Sequence, residues 1–600
     1  MLQVLTPNFM DATATLPDLR IKANTSVVDQ VGANLSATVT DDYDGKTRAD
    51  YTPYDLGAFA YTNSATASLA NHHFKSLASG NWRTNATWQS SADGSTNWIT
   101  ATAFPSATAA SITVQNGHNV TVAAEATASN LTVEGGGKLT LNDRVGLSAT
   151  NLTLNSHATN GTATFVDENT SGSGLTVSGT TTANQYLGTT RNWYVSSPIT
   201  NAKAKTGFTY YKRSESASSW TSSPFVVGDT FVPGVGYIAL PGASGASISF
   251  VSETNGKLNH GTVAVTLTKS GTSSIGYNLI GNPYPTNLTW TTAFVDDVVN
   301  AALIEPTIYY RTNSGSVNSG GDAAWSFKTY NSHINEASPV GTTNIIPPMQ
   351  AFWVKAKTAG TLYLDSKLTR SHQASNLLKA PANSNRQRVR LLLSNGVRTD
   401  ETLLLFDNNA EDGVDAFDSP KFAEANSEAQ IFTTIGAEKF VINGMNTMPL
   451  NQEIALGFVA GNATSFTLKA NEITNLPEGV KVILKDNITK AETDLTDGVT
   501  TYQFAPEATS VDRFSLIFRT AGSSTDVQNP IGERAQVYVN AANQITIIAP
   551  ERSNYSIYNA MGQMIENGTL NSKHETRNAN YAAGVYVVKV NNQSTRVIIK

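Results

Sequence analysis

The chain contains no cysteine, so a disulfide framework, a thiolate metal site and a cysteine nucleophile are all excluded. Charge is also scarce. Only 15% of residues are Asp, Glu, Lys or Arg, against roughly 25% in an ordinary soluble domain. No apolar run reaches the ~18 residues of a membrane-spanning helix. The opening "MLQVLTPNFMDATATLPDLR" lacks the cationic start and apolar core of a signal peptide. If the protein is exported, the expectation is a chain that has been trimmed or that starts inside a longer one. No stripe of interleaved basic and aromatic residues suggests a nucleic-acid groove, so no nucleic-acid partner is expected.

Thr, Ser, Asn and Gly fill the space left by charge. Strong helix formers are few and turn formers many, which predicts an all-β fold. With 600 residues, a prior of roughly 150 per domain predicts several domains. Charge is unevenly spread. Residues 531–600 hold seven Lys/Arg against four Glu, whereas the remainder holds 34 basic against 43 acidic residues. The last segment is therefore a module with its own surface.

Repeats set the internal divisions. "ITV" at Ile112, "LTV" at Leu131, "LTL" at Leu152 and "LTV" at Leu175 recur at steps near 20 residues. A second set runs "VTV" from Val120, "LTL" from Leu139 and "TFV" from Thr164. Two short strands per ~20 residues predict a small β-solenoid over 63–190. Trp82, Trp88 and Trp98 precede it and are expected to cap its open end, with a carbohydrate-stacking platform as the alternative. Residues 191–372 read as a diverged duplication, two related β-sandwich halves. "NWYVSSPI" parallels "YNLIGNPY", "TYYKR" parallels "IYYRT", and "VPGVGYIAL" parallels "IPPMQAFWVK", with offsets growing from 85 to about 115. About nine short strands separated by turn signals predict an immunoglobulin-like sandwich over 386–519. "AGSSTDVQNPIGE" (521–533) is a linker, and a small β-sandwich follows at 531–600.

Two segments resemble known families. In 1–62, Asp42, Asp44, Gly45, Arg48, Asp55, Gly57, Ala58 and Phe59 are similar to the closing rungs of right-handed parallel β-helix proteins, many of them polysaccharide lyase-like. The resemblance implies that Met1 lies inside a larger β-helix. At the other end, "SIYNAMGQ" (556–563), "GVYVVKV" (584–590) and the terminal "VIIK" (597–600) resemble the type A C-terminal sorting domain of the Bacteroidetes type IX secretion system. The matching positions are Tyr558, Gly562, Gly584, Tyr586, Lys589 and Lys600. The resemblance implies export through an outer-membrane translocon, removal of the module by a sortase-like peptidase with cleavage in 521–533, and delivery to the cell surface or medium. A turn at Met561-Gly562 and a closing hairpin around Asn591-Asn592 are expected within it.

Chemistry is harder to find. No G-x-S-x-G elbow occurs. His72-His73 are adjacent and read as linker residues. Read as a calcium loop, "TDDYDGKTRADY" begins at Thr40 and ends at Tyr51, and "DNNAEDGVDAFD" (407–418) places the loop from Asn408 to Ser419, so both fail the spacing. Asp41, Asp42 and Asp44 remain as calcium candidates, beside a turn in which Asp neutralises Arg48. No other cofactor is expected. Glu125, Glu134, Asp143, Asp167 and Glu168 are scattered along the solenoid and do not repeat on a shared face, as a glycosidase pair would require. No enzyme is expected within residues 1–600. Two functions remain: a secreted or surface structural and adhesive protein with a glycan or surface ligand, or the non-catalytic part of a polysaccharide-degrading β-helix enzyme.

Overall fold

The computed structural model describes residues 67–520 except 218, 222–224, 254, 271–274, 318–322, 374–385, 423–428 and 507–512. It also describes 535–599 except 541, 550, 578–580 and 592, and, before 67, residues 9–11, 18–21, 38–43, 45 and 47. The chain is all-β and multi-domain; among the described residues the helices are the short Asn85–Thr87, Thr292–Val295 and Val298–Leu303. It divides into two compact units, Met1–Arg519 and Thr520–Lys600. The linker at 521–533 lies outside the described residues. In the first 62 residues, Phe9–Asp11 pairs antiparallel with Asp18–Ile21, and Asp41 bridges Thr47. Asp44, Arg48, Asp55, Gly57, Ala58 and Phe59 lie outside the described residues.

The 20-residue repeat builds two parallel sheets. In one, Phe74, Ile112, Leu131 and Leu152 stand in register on successive strands. In the other, Val120, Leu139 and Phe165 do so. The aliphatic residues alternate inward and are all but fully buried, while Thr113, Thr132 and Thr153 between them face outward. Alternation with period two is what makes each rung amphipathic.

Two register expectations are corrected. Leu139 pairs with Phe165, so the third "TFV" sits one residue out of step with the motif. Leu175 pairs with Leu147, and the partner of Leu152 is Thr181. The eight-residue strand Leu147–Leu154 accepts Leu175–Val177 along its first half and Thr181–Ala183 along its second. Five residues separate the two columns in the earlier rungs and six in the last, so one extra residue bulges beside Asn151. A three-residue motif does not say which half of a rung it occupies.

Trp82 and Trp88 are fully buried, edge to face at 5.2 Å, with their indole N–H groups donating to Pro105 O and Trp82 O. That position leaves no ring face open to a sugar. Trp98 is half-buried under the Lys75 ammonium, 3.8 Å from its ring centroid. His73 is not a linker residue: it opens the strand His73–Ser76, accepts or donates one hydrogen bond with Ser111 Oγ at 2.7 Å, and sits next to a buried His72.

The duplication is legible strand by strand. In the first copy, Trp193–Val195, Tyr237–Pro241, Phe208–Ser214 and Ser219–Thr221 lie side by side in that order. In the second, Tyr277–Gly281, Ala351–Ala356, Ile304–Val317 and Ala323–Asn331 do the same. Each copy adds a flanking antiparallel pair, Thr181–Leu187 with Ala246–Ser252 and Val263–Leu267 with Gly360–Leu364. The copies meet about a local two-fold. Val195 bridges Gln350 and Ile280 bridges Val235; Ser196 N–H donates to Met349 O and Gly281 N–H to Gly234 O, both at 2.9 Å. Equivalent residues exchange equivalent bonds, as in an isologous dimer interface. The approach is close enough that a Cβ on Gly281 would lie 2.2 Å from Ser196 Cβ.

Thr181–Leu187 belongs at once to the last rung and to the first copy, so one nine-stranded sheet and one apolar core run across residue 190. The second copy covers the other sheet of the stack. Phe165 N–H donates to Pro285 O, and His372 bonds Thr140 Oγ1 at 2.8 Å and Thr164 Oγ1 at 2.7 Å. Residues 387–520 form an eleven-stranded, mostly antiparallel sheet around a separate core. Its far strands are brought together where Tyr502 and Arg513 both donate to Asp486 Oδ2. Arg386, just before its strand Gln387–Ser394, and Arg388 and Arg390 within it meet Glu336 of the second copy, at 3.3, 2.8 and 3.5 Å. Glu401 and Glu472 complete the network on Arg390.

Candidate functional site

The C-terminal unit is a seven-stranded sandwich. Gln536–Val539, Ile545–Ile548 and His574–Arg577 form one antiparallel sheet. Met564–Thr569, Asn554–Asn559, Gly584–Val590 and Gln593–Ile599 form the other, in that spatial order. Alternation sends Ile545 and Ile547 from one sheet, and Tyr555, Ile557, Tyr586, Val588, Val597 and Ile599 from the other, into a core of its own.

The positions singled out in the sequence fall mostly on this second sheet. Tyr586 is buried and donates to Ala582 O at 2.8 Å. Tyr558 is half-buried and pairs with Val587. Gly584 begins its strand and Lys589 points to solvent. Gly562 has φ +79°, a conformation a side chain disfavours. Its turn is organised by Asn559, whose Oδ1 accepts from the N–H groups of Met561 (3.0 Å) and Gln563 (2.9 Å). The closing hairpin turns at Asn591, φ +50°, which is tied to Asn554 in both directions. Lys600 lies outside the described residues.

Sequence reasoning missed one cluster here. Glu566 accepts from Tyr555 Oη at 2.7 Å and from Tyr581 Oη, and Arg577 of the opposite sheet approaches it at 3.4 Å while lying over the Tyr555 ring. Burial, then the bond to Glu566, pushes the Tyr555 hydroxyl up to about 12 and raises Tyr581 as well. The sequence presents these residues 4 to 26 positions apart with no motif, and only the pairing of sheets unites them.

The calcium candidates give a partial picture. Asp42 is buried and its carbonyl accepts from Gly45 N–H; Asp41 is exposed and accepts from Thr40 Oγ1 at 3.3 Å. Among the described residues, no three His, Asp or Glu side chains come together as a metal-binding group. The second acidic segment is a self-bonded turn. Asp415 accepts from the N–H groups of Glu411 and Phe417, and Asp418 from those of Asp415 and Gly444. Asp407 pairs with Arg386 at 2.9 Å. Burial raises Asp418 to about 7.

Comparison with known families accounts for both units. A family model described as a secretion system C-terminal sorting domain matches residues 536–600. The chain is thus a type IX secretion cargo, engages that machinery, and is exported to the cell surface or extracellular space. A search for similar curated proteins found no match. A model described as a domain of unknown function (DUF8693) matches residues 80–518, most of the chain and nearly all of the first unit, and the protein belongs to that family.

Proposed function

We propose that the protein is a structural and adhesive component of a Bacteroidetes cell surface, with its C-terminal unit as a detachable export label. The observation that carries this reading is the fusion of solenoid, paired repeats and third sheet into one β body, in a chain that also carries a sorting domain. Neighbouring elements share strands and buried ion pairs, which suits a rigid, low-charge body that holds a ligand outside the cell. A sortase-like peptidase is the second partner, acting in 521–533, and residues 1–62 are the closing part of a parallel β-helix. Deletion of 531–600 tests the label: the truncated chain should accumulate in the periplasm. Normal surface display of that chain would remove the label reading. Cells expressing the intact protein should attach to polysaccharide-coated surfaces more strongly than cells lacking it, and equal attachment would remove the adhesive one.

A further inference from the structure

Solenoid and both repeats converge on the segment that joins the repeats, residues 253–262. An open groove of about 580 Å³ lies there, between this segment and the solenoid loop around Thr170–Ser173. That volume falls in the range of ordinary ligand sites, about 300–1,000 Å³. Its wall is amphipathic. Val232 and Pro233 offer apolar surface, Thr262 a hydroxyl, Lys257 an ammonium and His260 an imidazole, and no acidic side chain lines it.

The inner end adjoins, at Ser173 and His260, a small cavity of about 10 Å³ that Asp167, Thr286 and Arg370 also line. A space of that size holds about one oxygen-sized group. Two of its lining residues carry buried polar atoms without hydrogen-bond partners. Thr286 is 3% exposed and its hydroxyl makes no hydrogen bond; His260 Nε2 is buried and makes none. The nearest carboxylate oxygen, Asp167 Oδ2, is 3.9 Å from that nitrogen. Asp167 is already saturated by the N–H and Nδ2 of Asn169, by Ser173 Oγ and by Gly174 N–H. Arg370 rests on the Tyr284 ring at 5.1 Å. An orphaned buried polar group costs about 1–3 kcal/mol and folded proteins retain few, so two of them at the floor of one groove mark a place where a ligand atom belongs.

We propose that this groove binds a carboxylate-bearing oligosaccharide, with one uronate oxygen seated between His260 Nε2 and the Thr286 hydroxyl and Lys257 and Arg370 supplying the positive charge. The outer wall carries no acidic side chain, the one carboxylate at the inner cavity, Asp167, has both oxygens occupied by hydrogen bonds, and Lys257 and Arg370 bring positive charge, which favours an anion. The apolar strip beside hydroxyls suits the two faces of a sugar ring. The inner cavity seats one oxygen; a planar carboxylate then leaves one further oxygen at its mouth, whereas a sulfate ester leaves two and is the bulkier fit. The proposal rests on the surface-ligand reading above and adds the ligand's class and place.

The test is titration calorimetry on the full chain with trigalacturonate, its carboxyl-reduced neutral counterpart and a sulfated heparin trisaccharide. Trigalacturonate should bind at least about tenfold more tightly than the other two, a gap of about 1.4 kcal/mol. Lys257→Ala and Arg370→Ala should each weaken it several-fold. Thr286→Val, which keeps the shape and removes the donor, should do the same with a melting temperature no lower than wild type, since an orphaned hydroxyl is removed. Equal binding of the neutral sugar, binding of the sulfated sugar alone, or wild-type affinity in Thr286→Val and Lys257→Ala would overturn the proposal. Cell attachment that persists in those variants and is not competed by trigalacturonate would overturn the groove and leave the adhesive reading standing. Uronate binding without attachment would do the reverse.

Discussion

Arg390 is the residue whose loss should be felt most between the second repeat and the third sheet. It is 4% exposed and holds Glu472 at 2.6 Å, Glu401 at 2.8 Å and Glu336 at 3.5 Å. Arg390→Met keeps the aliphatic volume and removes the charge. Glu336 then retains Arg386 and Arg388, and Glu472 retains Arg388 at 3.8 Å. Glu401, 5% exposed, retains only the Ser338 hydroxyl at 3.0 Å. One buried carboxylate is therefore left uncompensated, a change that costs about 3–5 kcal/mol. Burial already raises the Glu401 carboxyl, opposed chiefly by Arg390, so the variant should lose less stability as pH falls and Glu401 protonates. All eight tryptophans precede residue 354, so fluorescence reports this region chiefly at its edge, where Trp353 meets Phe422 at 5.0 Å, and not along its strands. Amide exchange of Gln387–Ser394 and Thr399–Phe406 reports it directly, and protection should fall by roughly two to three orders of magnitude. Arg390→Met/Glu401→Leu, which removes both charges, should recover at least half of the loss. Exchange within about fivefold of wild type in the single variant, or a double variant worse than the single, would refute the reasoning.

His372→Ala should cost about 1–3 kcal/mol by removing the two bonds that hold the strand end at 369–371 on the solenoid, read as a lowered melting temperature. Burial, with Lys138 nearby, lowers His372 from 6.5 to about 4. Its contribution is present above pH 6.5 and is lost as pH falls toward 4, up to about 3 kcal/mol, and the variant should lack that slope. Asp418 has the opposite sign. Raised from 3.8 to about 7, chiefly by burial, it favours the fold below pH 3.8 and loses that contribution as pH rises to 7; Asp418→Asn, neutral throughout, should flatten this slope in a pH series of melting curves. Gly281→Ala should destabilise the repeat interface by about 1–3 kcal/mol as an overpacked contact, and Ser196→Gly in the same chain should restore much of the loss in thermal melts.

Much of the export module is legible in the amino-acid sequence, because its signals are local. Alternating residues in "GVYVVKV" and "SIYN", with turn formers between them, define strands and faces without reference to the rest of the chain. The arginine network is also written in the sequence, as the period-two "RQRVR" at 386–390, but that pattern is the same as in an ordinary strand. Its meaning depends on Glu336, some 50 residues earlier, arriving opposite. The Leu175 rung is misplaced by the repeat pattern for a related reason. Its "LTV" lies on the half of the rung that pairs with Leu147, and a short apolar motif does not reveal which half of a rung it occupies.

Composition and periodicity determined that the chain is β throughout, that it repeats, that its middle is duplicated and that its last 70 residues stand apart. These are properties of residues a few positions apart, fixed by the pleat and the turn. Tertiary structure decided how the pieces join. The duplicated offsets of 85 and about 115 became a two-fold only when Val195 met Gln350 and Ile280 met Val235, and the last rung became the first strand of the next layer. Each partner choice depends on which exposed edge and which unpaired charge arrive together in space, and distance along the chain carries no record of that.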